Sequence, residues 1–393
     1  MKFLSLLLVI LILLTGCSVE TLPLDDTTVT DLSNESTNSN PTETETNPPE
    51  TTAPPTTVPP SPLEVQLNQM TIEEKVGQLF LARCPDIGAA ADVAAYHLGG
   101  YILFGKDFKG QTPVSIRETL ESYQEAAKIP LLLAVDEEGG TVCRISSNEA
   151  FRTSRFPSPR RLYEEGGLES VNAAETEKCQ LLHSLGINVN MAPVCDIATD
   201  PNAFMYSRSL GQDAAVTGQF VENTVTIMAE YHVGSVLKHF PGYGNNADTH
   251  VGIAIDSRTL EELESLDLLP FSAGINAGCD AILVSHTIVE CLDSQLPASL
   301  SPGVHQYLRE KMGFDGVIIT DDLVMDAISD NFGTGEAAIL AVLAGNDLLC
   351  STNYQAEYAA VLQAVQDGRI PVDTVDQAVM RILRWKEKLG LIS

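Results

Sequence analysis

Basic residues are scarce in this chain. Its 393 residues include 23 Lys and Arg against 53 Asp and Glu, which gives a formal charge of −30. The shortage persists beyond residue 62, where 45 acidic and 22 basic residues remain. Nucleic-acid binding needs basic patches, and adhesion to anionic lipid or wall polymer needs positive charge. The composition therefore argues against both kinds of partner.

Cysteine pairs are lacking as well. Apart from Cys17, the cysteines are scattered, odd in number and without a CxxC pair. This pattern predicts small buried apolar side chains rather than disulfides or metal ligands. The residues concerned are Cys84, Cys143, Cys179, Cys195, Cys279, Cys291 and Cys350.

Residues 1–17, MKFLSLLLVILILLTGC, contain one Lys, an apolar run and a small-residue site. The run is short for a transmembrane helix of about 20 residues and is typical of a secretory signal. Its ending, LTGC, resembles the bacterial lipoprotein processing box, which implies a lipid on Cys17. An uncleaved anchor helix is the alternative. Both interpretations predict a protein held on the outer face of a membrane.

Residues 18–62 have no basic side chain and almost no large apolar one, but eight acidic residues and many Thr, Pro and Ser. Such a segment cannot bury enough apolar surface to offset its ordering entropy, so we predict a disordered linker. Residues 63–393 then form one folded domain, and α/β barrels commonly reach this size as one unit.

Short apolar runs alternate with amphipathic, helix-like stretches from residue 70 onward. The runs are apolar throughout, as strands buried on both faces should be. They are 78–83, 100–104, 131–136, 188–196, 235–240, 281–286, 316–322 and 347–350. The helical stretches include 112–128, 213–232 and 259–278. Eight strand–helix units predict an α/β fold of the (β/α)8 TIM-barrel type; a doubly wound open sheet is the alternative.

Polar residues cluster where the predicted strands end. They are Arg83, Asp136, Asp196, Lys238, His239, Ser285, His286, Asp321, Asp322 and Ser351. Strand ends of a barrel converge on one mouth, where barrel enzymes keep their active sites. We therefore expect these residues to surround a single pocket.

Residues 238–250, KHFPGYGNNADTH, contain the most distinctive motif. A strand end presents two basic residues, and a glycine-rich loop then presents Asp248 and His250. Residues two apart share a face of an extended segment, so the carboxylate can orient the imidazole for acid/base chemistry. A structural hydrogen-bonded pair or a metal site are the alternatives. The spacing of His239 and His250 does not match zinc ligands.

Residues 316–325, GVIITDDLVM, end a buried strand in two carboxylates. Neighbouring strand residues point to opposite sides, so only one of Asp321 and Asp322 should face the pocket centre. Capping of the following helix is the alternative role for the pair.

These motifs together resemble the β-N-acetylglucosaminidase branch of glycoside hydrolase family 3. KHFPGYGNNADTH is similar to its KH-[FI]-PG-x-G-x4-D-[ST]-H signature. AVDEEGGTVCRI (134–145), SRSLG (207–211) and TDDLVM (320–325) are similar to its DQEGGxVxR, RSFG and SDDLxM segments. The resemblance covers roughly residues 65–390 and includes the order of the motifs.

The resemblance implies a retaining glycosidase with a covalent intermediate on Asp321. It implies that His250 is the proton donor and later the base, oriented by Asp248. The implied sugar-binding residues are Asp136, Arg144, Arg208, Lys238 and His239. No cofactor or metal is implied. The implied substrate is an N-acetylglucosamine-containing oligosaccharide or muropeptide, such as a peptidoglycan or chitin-like fragment.

Two positions depart from the family pattern. Thr141 stands where many members have Arg, so a contact at the pocket rim is expected to be missing. Glu137 stands where Gln is frequent, which we expect to matter little. Tyr243 and His286 lie where they could line the pocket, and we favour structural roles for both.

Several alternatives remain at this point. The chain could be a β-glucosidase-type member, although those commonly add a second domain that supplies a carboxylate acid/base. It could transfer the sugar to phosphate instead of water. A non-catalytic sugar-binding lipoprotein would be expected to lack the reacting residues, and a lipid-tethered solute receptor would be expected to have two lobes.

Overall fold

The computed structural model of the chain describes residues 59–244 and 252–393. Eight parallel strands form one sheet within these ranges. They are β1 (Phe80–Arg83), β2 (Gly100–Leu103), β3 (Leu132–Val135), β4 (Val189–Asn190), β5 (Gly234–Phe240), β6 (Ala281–Val284), β7 (Val317–Thr320) and β8 (Leu349–Ser351). Each predicted strand segment overlaps one of them.

The sheet curls into a barrel. Each strand from β1 to β6 pairs with the next along the chain, and β8 pairs with β1. A single parallel bridge between Ile319 and Leu348 joins β7 to β8. The predicted (β/α)8 barrel is therefore confirmed, and the open doubly wound sheet is excluded.

Helices occupy the connections between the strands. In the described ranges they are α1 (Pro62–Gln69), α2 (Ile72–Gln78), α3 (Ala89–Tyr96), α4 (Pro113–Ala126), α5 (Pro159–Ser184), α6 (Ala214–Glu230), α7 (Leu260–Ser265), α8 (Leu268–Asn276), α9 (Pro302–Gln306), α10 (Asp326–Ser329), α11 (Thr334–Ala344), α12 (Tyr354–Gln366) and α13 (Val372–Lys388). Short 3-10 and π turns cover Ala298–Leu300 and Tyr307–Lys311.

Local sequence explains where these helices begin and end. Thr112 caps α4 in a capping box with Ser115, which satisfies amides that the first turn leaves without partners. The helical stretch predicted over 259–278 forms two helices, α7 and α8, with a break at Leu266 (φ −133°, ψ −79°). Pro270 lacks the N–H that would continue the helix across this break, and its ring would clash with a preceding carbonyl.

The strands are buried on both faces, as predicted. Every residue of β3 is fully buried, because barrel side chains fill the interior on one face and pack under helices on the other. Strand β4 is much shorter than the predicted 188–196, and Pro193, which cannot donate to a ladder, lies in the missing part.

Cysteine burial follows the prediction with one correction. The seven described cysteines are free thiols, and six of them are buried. Cys291 is exposed, because it follows a short edge strand (Ile288–Val289) outside the barrel wall.

No helix in the described ranges is long and apolar enough to cross a bilayer. The predicted signal (1–17) with Cys17, and nearly all of the predicted linker (18–62), lie outside the described residues. These assignments stay predictions.

Candidate active site

A cavity of about 530 Å³ opens at the carboxyl ends of the barrel strands. Six of the predicted strand-end residues line it, namely Arg83, Asp136, Lys238, His239, Asp321 and Asp322. Thr141, Arg144 and Arg208 line it from the connecting loops. Eight residues are predicted to act in catalysis or sugar binding. The structure describes six of them, and all six line this cavity.

Four other strand-end residues lie behind the cavity wall. They are Asp196, Ser285, His286 and Ser351, which are all buried. Tyr243 is also buried and is absent from the described lining. The two remaining predicted catalytic residues, Asp248 and His250, lie outside the described residues.

Lys238, at the end of β5, is held by two carboxylates. Its Nζ lies 2.7 Å from Asp136 Oδ1 and 2.7 Å from Glu138 Oε1, and its side chain is almost fully buried. Burial disfavours the ammonium form, but the two carboxylates outweigh this effect and raise the pKa of Lys238 above its ordinary value. The lysine therefore stays charged at neutral pH.

Glu138 connects this lysine to Arg208. The guanidinium donates from Nη2 to Glu138 Oε1 (2.7 Å) and from Nε to Oε2 (3.0 Å). Although burial alone would favour the neutral acid, Lys238 and Arg208 hold the pKa of Glu138 well below its usual range. A buried carboxylate thus fixes the positions of two cations that face the cavity.

His239 has a defined tautomer. Arg208 Nη2 lies 3.2 Å from His239 Nε2, and because a guanidinium can only donate, Nε2 must accept. The proton is then on Nδ1, which donates to Asp196 Oδ2 at 2.8 Å. Asp196 also accepts the backbone N–H groups of His239 and Tyr243. The imidazole thereby has a fixed orientation at the cavity wall.

Two arginines pack on Phe104 at the end of β2. The guanidinium carbon of Arg83 lies 4.4 Å from the ring centroid, and that of Arg144 lies 5.3 Å from it. Arg144 Nη2 is also 3.7 Å from Asp136 Oδ2. Its Nε is buried and has no hydrogen-bond partner among the described residues, whereas other parts of the side chain are exposed and line the cavity.

A tight hairpin after β3 positions Arg144. Gly139 has φ 106°, and a Cβ there would lie 2.3 Å from the carbonyl oxygen of Pro157, so only glycine fits. Glu137 accepts the backbone N–H groups of Arg144 (2.9 Å) and Ile145 (2.8 Å). This gives Glu137 a structural role that the sequence did not indicate.

Asp321 and Asp322 follow β7 and differ in their surroundings. Both border the cavity, but the Asp322 carboxylate accepts from Thr352 Oγ1 (2.6 Å) and from the Val324 N–H (3.2 Å). Asp322 is thus tied to the neighbouring strand end. The N-cap position of α10 is occupied by Met325, so neither aspartate caps that helix.

Sequence reasoning missed the roles of Glu138 and Asp196, which orient the cavity-facing cations and imidazole. For Glu138 a signal was present, since it lies two residues after Asp136 and residues two apart in an extended chain share a face. For Asp196 the strand-end position was noted, but its partner His239 is 43 residues away.

Within the described ranges, no group of three or more His, Cys, Asp or Glu side chains is arranged to hold a metal ion. The cavity is instead lined by three carboxylates, Asp136, Asp321 and Asp322, together with the cationic donors of Arg144, Arg208 and Lys238. Charged donors of this kind suit the hydroxyl groups of a sugar.

Comparisons with known proteins agree with this chemistry. The model of the glycosyl hydrolase family 3 N-terminal domain matches residues 71–385. The chain is 33% identical over 328 residues to the beta-hexosaminidase LpqI of Mycobacterium tuberculosis, covering 80% of this chain and 82% of that protein. It is 34% identical over 275 residues to a beta-hexosaminidase of Tolumonas auensis, covering 69% and 80%.

A solved structure is also similar. The glycoside hydrolase family 3 beta-N-acetylglucosaminidase from Paenibacillus sp. superimposes with a TM-score of 0.77 at 33% identity. The match covers 82% of this chain and 63% of that structure, so this chain spans less than two thirds of it.

Proposed function

The chain belongs to glycosyl hydrolase family 3, a family of glycosidases, and we propose that it is a retaining β-N-acetylhexosaminidase. The observation that carries the proposal is the shared cavity, in which Asp321 lies together with Asp136, Lys238 and Arg208. A retaining enzyme needs a carboxylate beside the bound sugar and groups that hold the hydroxyls. The relatives named beta-hexosaminidase support an acetamido sugar as the substrate.

In the first step the Asp321 carboxylate attacks the anomeric carbon. The bond from that carbon to the leaving oxygen breaks, and His250 gives its proton to this oxygen. Asp248 orients the imidazole and stabilises its protonated form. A glycosyl ester on Asp321 remains.

In the second step water attacks the same carbon and gives a proton to His250. The bond from that carbon to the Asp321 oxygen breaks, which releases the sugar and restores the carboxylate. Two inversions retain the β configuration. The roles of Asp248 and His250 rest on the sequence motif, because both residues lie outside the described ranges.

The described residues account for sugar binding in this proposal. Lys238 and Arg208 stay charged and fixed because Glu138 holds both. Arg144 lines the cavity beside Asp136. His239, as the Nδ1–H tautomer, contributes a rigid polar wall. Such preorganised donors bind hydroxyls without losing much side-chain entropy.

We further propose that the substrates are peptidoglycan fragments or chitin-like oligosaccharides with terminal β-N-acetylglucosamine. A lipid on Cys17 and the linker of residues 18–62 would hold the enzyme outside the cytoplasmic membrane, where such fragments occur. The support for this location is the sequence pattern of residues 1–62.

The test compares release of 4-nitrophenol from the β-N-acetylglucosaminide and from the β-glucoside. We expect strong preference for the acetamido sugar, and a loss of about 10⁴-fold or more in Asp321→Asn, which removes the nucleophile. His250→Ala should be impaired more on chitobiose than on the nitrophenyl substrate, because nitrophenolate leaves without a proton. Asp330→Asn, which changes an exposed aspartate, is the matched control.

A slowly reacting fluorinated N-acetylglucosaminyl donor should label the peptide that contains Asp321, which mass spectrometry detects. Preference for the glucoside would overturn the substrate assignment while leaving the nucleophile in place. Formation of the sugar 1-phosphate in phosphate buffer would identify phosphate as the acceptor. Absence of any turnover would favour a sugar-binding protein.

A further inference from the structure

Asp322 is anchored at several points. Its Oδ2 accepts from Thr352 Oγ1 at 2.6 Å, and its Oδ1 accepts the backbone N–H of Thr352 at 3.1 Å and that of Val324 at 3.2 Å. The ring Nε2 of His286 lies 3.1 Å from the Asp322 carbonyl oxygen. His286 is completely buried, so this anchor belongs to the interior of the barrel.

The anchored residue in turn contacts the carboxylate assigned to catalysis. The backbone N–H of Asp322 donates to Asp321 Oδ1 at 2.9 Å. A donor of this kind stabilises a carboxylate and restricts its rotation. The position of that N–H depends on where Asp322 is held, and therefore on Thr352.

The barrel is weakly closed at this place. Strands β6 and β7 share four residue pairs, and β8 and β1 share three, whereas β7 and β8 share one bridge, between Ile319 and Leu348. Beyond it, the Cys350 N–H donates to a side-chain oxygen, Thr320 Oγ1, instead of a backbone carbonyl. Backbone hydrogen bonds still cross the seam, from the Thr320 N–H to the Leu348 carbonyl (3.1 Å) and from the Leu323 N–H to the Cys350 carbonyl (3.2 Å), so the pairing around Asp321 is sparse.

Side chains supplement these few backbone hydrogen bonds between the two strand ends. Thr352 directly follows β8, and its hydroxyl and amide both bind Asp322 across the seam. On the same strand, Ser351 Oγ donates to the buried Glu357 carboxylate of α12, which fixes the segment that carries Thr352. Of the hydrogen bonds that tie Asp322 to the end of β8, the one from the Thr352 hydroxyl is the shortest.

We propose that Thr352 is a positioning residue for the nucleophile, which it holds in line through Asp322 and the Asp322 N–H. The inference rests on the proposed role of Asp321. Thr352 does not line the described cavity, and its hydrogen bonds in the described ranges go to Asp322 and to none of the sugar-binding residues. Its loss should therefore slow the attack by Asp321 and leave sugar binding nearly intact.

The experiment compares Thr352→Val, which has the same shape without the hydroxyl, with Thr352→Ser, which keeps the hydroxyl. In the full-length protein we expect Thr352→Val to lower kcat on the nitrophenyl N-acetylglucosaminide about tenfold, as for loss of one hydrogen bond to a charged group. KM should change less than about twofold, because the sugar-binding groups stay in place. Thr352→Ser should restore most of kcat.

A second measurement separates positioning from a loss of fold. The acidic limb of the kcat/KM profile should move to higher pH in Thr352→Val, since a carboxylate with a misplaced donor is less stabilised. The ¹³C signal of the Asp321 carboxyl, identified by its absence in Asp321→Asn, should titrate at correspondingly higher pH. Thr224→Val is the matched control, because Thr224 is buried on α6 and its Oγ1 has no hydrogen-bond partner in the described residues.

Unchanged kcat and an unchanged carboxyl titration in Thr352→Val would overturn the inference. It would also be overturned if Thr352→Ser were as impaired as Thr352→Val, or if Thr224→Val showed the same loss. If the wild-type protein hydrolyses no glycoside but the carboxyl titration still moves, the proposed function fails and the positioning of Asp321 stands. If neither is observed, both fail.

Discussion

Lys238 and Lys386 are both almost completely buried, at opposite ends of the barrel. Lys238 lies at the carboxyl end of β5 between Asp136 and Glu138, each 2.7 Å from its Nζ. Lys386 lies on α13 at the other end, and its Nζ donates to the side-chain amide oxygen of Gln78 at 2.6 Å. One lysine has two carboxylate partners and the other has a neutral amide.

Their charge states differ accordingly. The carboxylates raise the pKa of Lys238, whereas burial lowers the pKa of Lys386 to about 7. The two lysines are equally buried, but their pKa values shift in opposite directions. The hydrogen-bond partners of each amine decide the direction. At the mouth a permanent cation is available to the substrate. At the base the amine contributes an unfavourable burial free energy and lies away from the cavity.

The largest expected effect is that of Lys238→Met. It removes a cation from the cavity and leaves Asp136 without its closest partner, so we expect kcat/KM to fall about 1000-fold and the free energy of unfolding to fall about 3 kcal/mol. Kinetics and urea unfolding measure the two. Lys109→Met, at an exposed position, should change neither. If Lys238→Met retained activity, catalysis at the barrel mouth would not need the charge of Lys238.

Glu138→Gln tests whether the Glu138 carboxylate causes the difference in charge state between Lys238 and Lys386. The change preserves shape but leaves Arg208 and Lys238 with a neutral partner, so we expect a loss of about 2 kcal/mol in unfolding free energy and about 100-fold in kcat/KM. Glu336→Gln is the control, since Glu336 pairs in the same bidentate way with Arg369 on the surface. Exposed pairs contribute less than about 1 kcal/mol. If the two substitutions had equal effects, the burial of Glu138 would not explain the loss.

The contrast between the two lysines also bears on how much of the fold and of the site the sequence could predict. The eight strands were predictable, because apolar runs such as 131–136 and 316–322 are bounded by loops and each must be buried on both faces. The break between α7 and α8 was missed, since apolar periodicity continues across Leu266 and only Pro270 indicates an interruption. The run 188–196 predicts a longer strand than β4, because its apolar character continues past Pro193, which cannot donate to the ladder.

The cavity residues at strand ends were predictable, since barrel topology alone brings them together. Their partners were not. Glu138 meets Arg208 across 70 residues, and Lys386 meets Gln78 across 308, and nothing in local pattern specifies such pairs. Whether a buried lysine is charged is therefore decided by tertiary contacts that one sequence does not reveal.

The smallest expected effect, and the one that sharpens the comparison most, is that of Lys386→Met. Because the pKa of Lys386 is lowered to about 7 in the folded protein and is about 10.4 in an unfolded chain, the unfolded state binds more protons between these values. The stability of the wild type should therefore rise with pH from about 7 to about 10. Lys386→Met should be more stable by about 2 kcal/mol at pH 6, and this difference should shrink over that range.

Urea unfolding at pH 6, 8 and 10 measures this difference, with unchanged kcat/KM as evidence that the base of the barrel does not serve the cavity. Lys75→Met is the matched control at the same interface of α2 and α13, where Lys75 pairs with Asp376 at 2.7 Å. That substitution leaves a carboxylate without its cation, so it should lower stability where Lys386→Met raises it. If Lys386→Met is instead destabilised at every pH, the amine of Lys386 is compensated as well as that of Lys238, and the contrast between the two ends of the barrel does not hold.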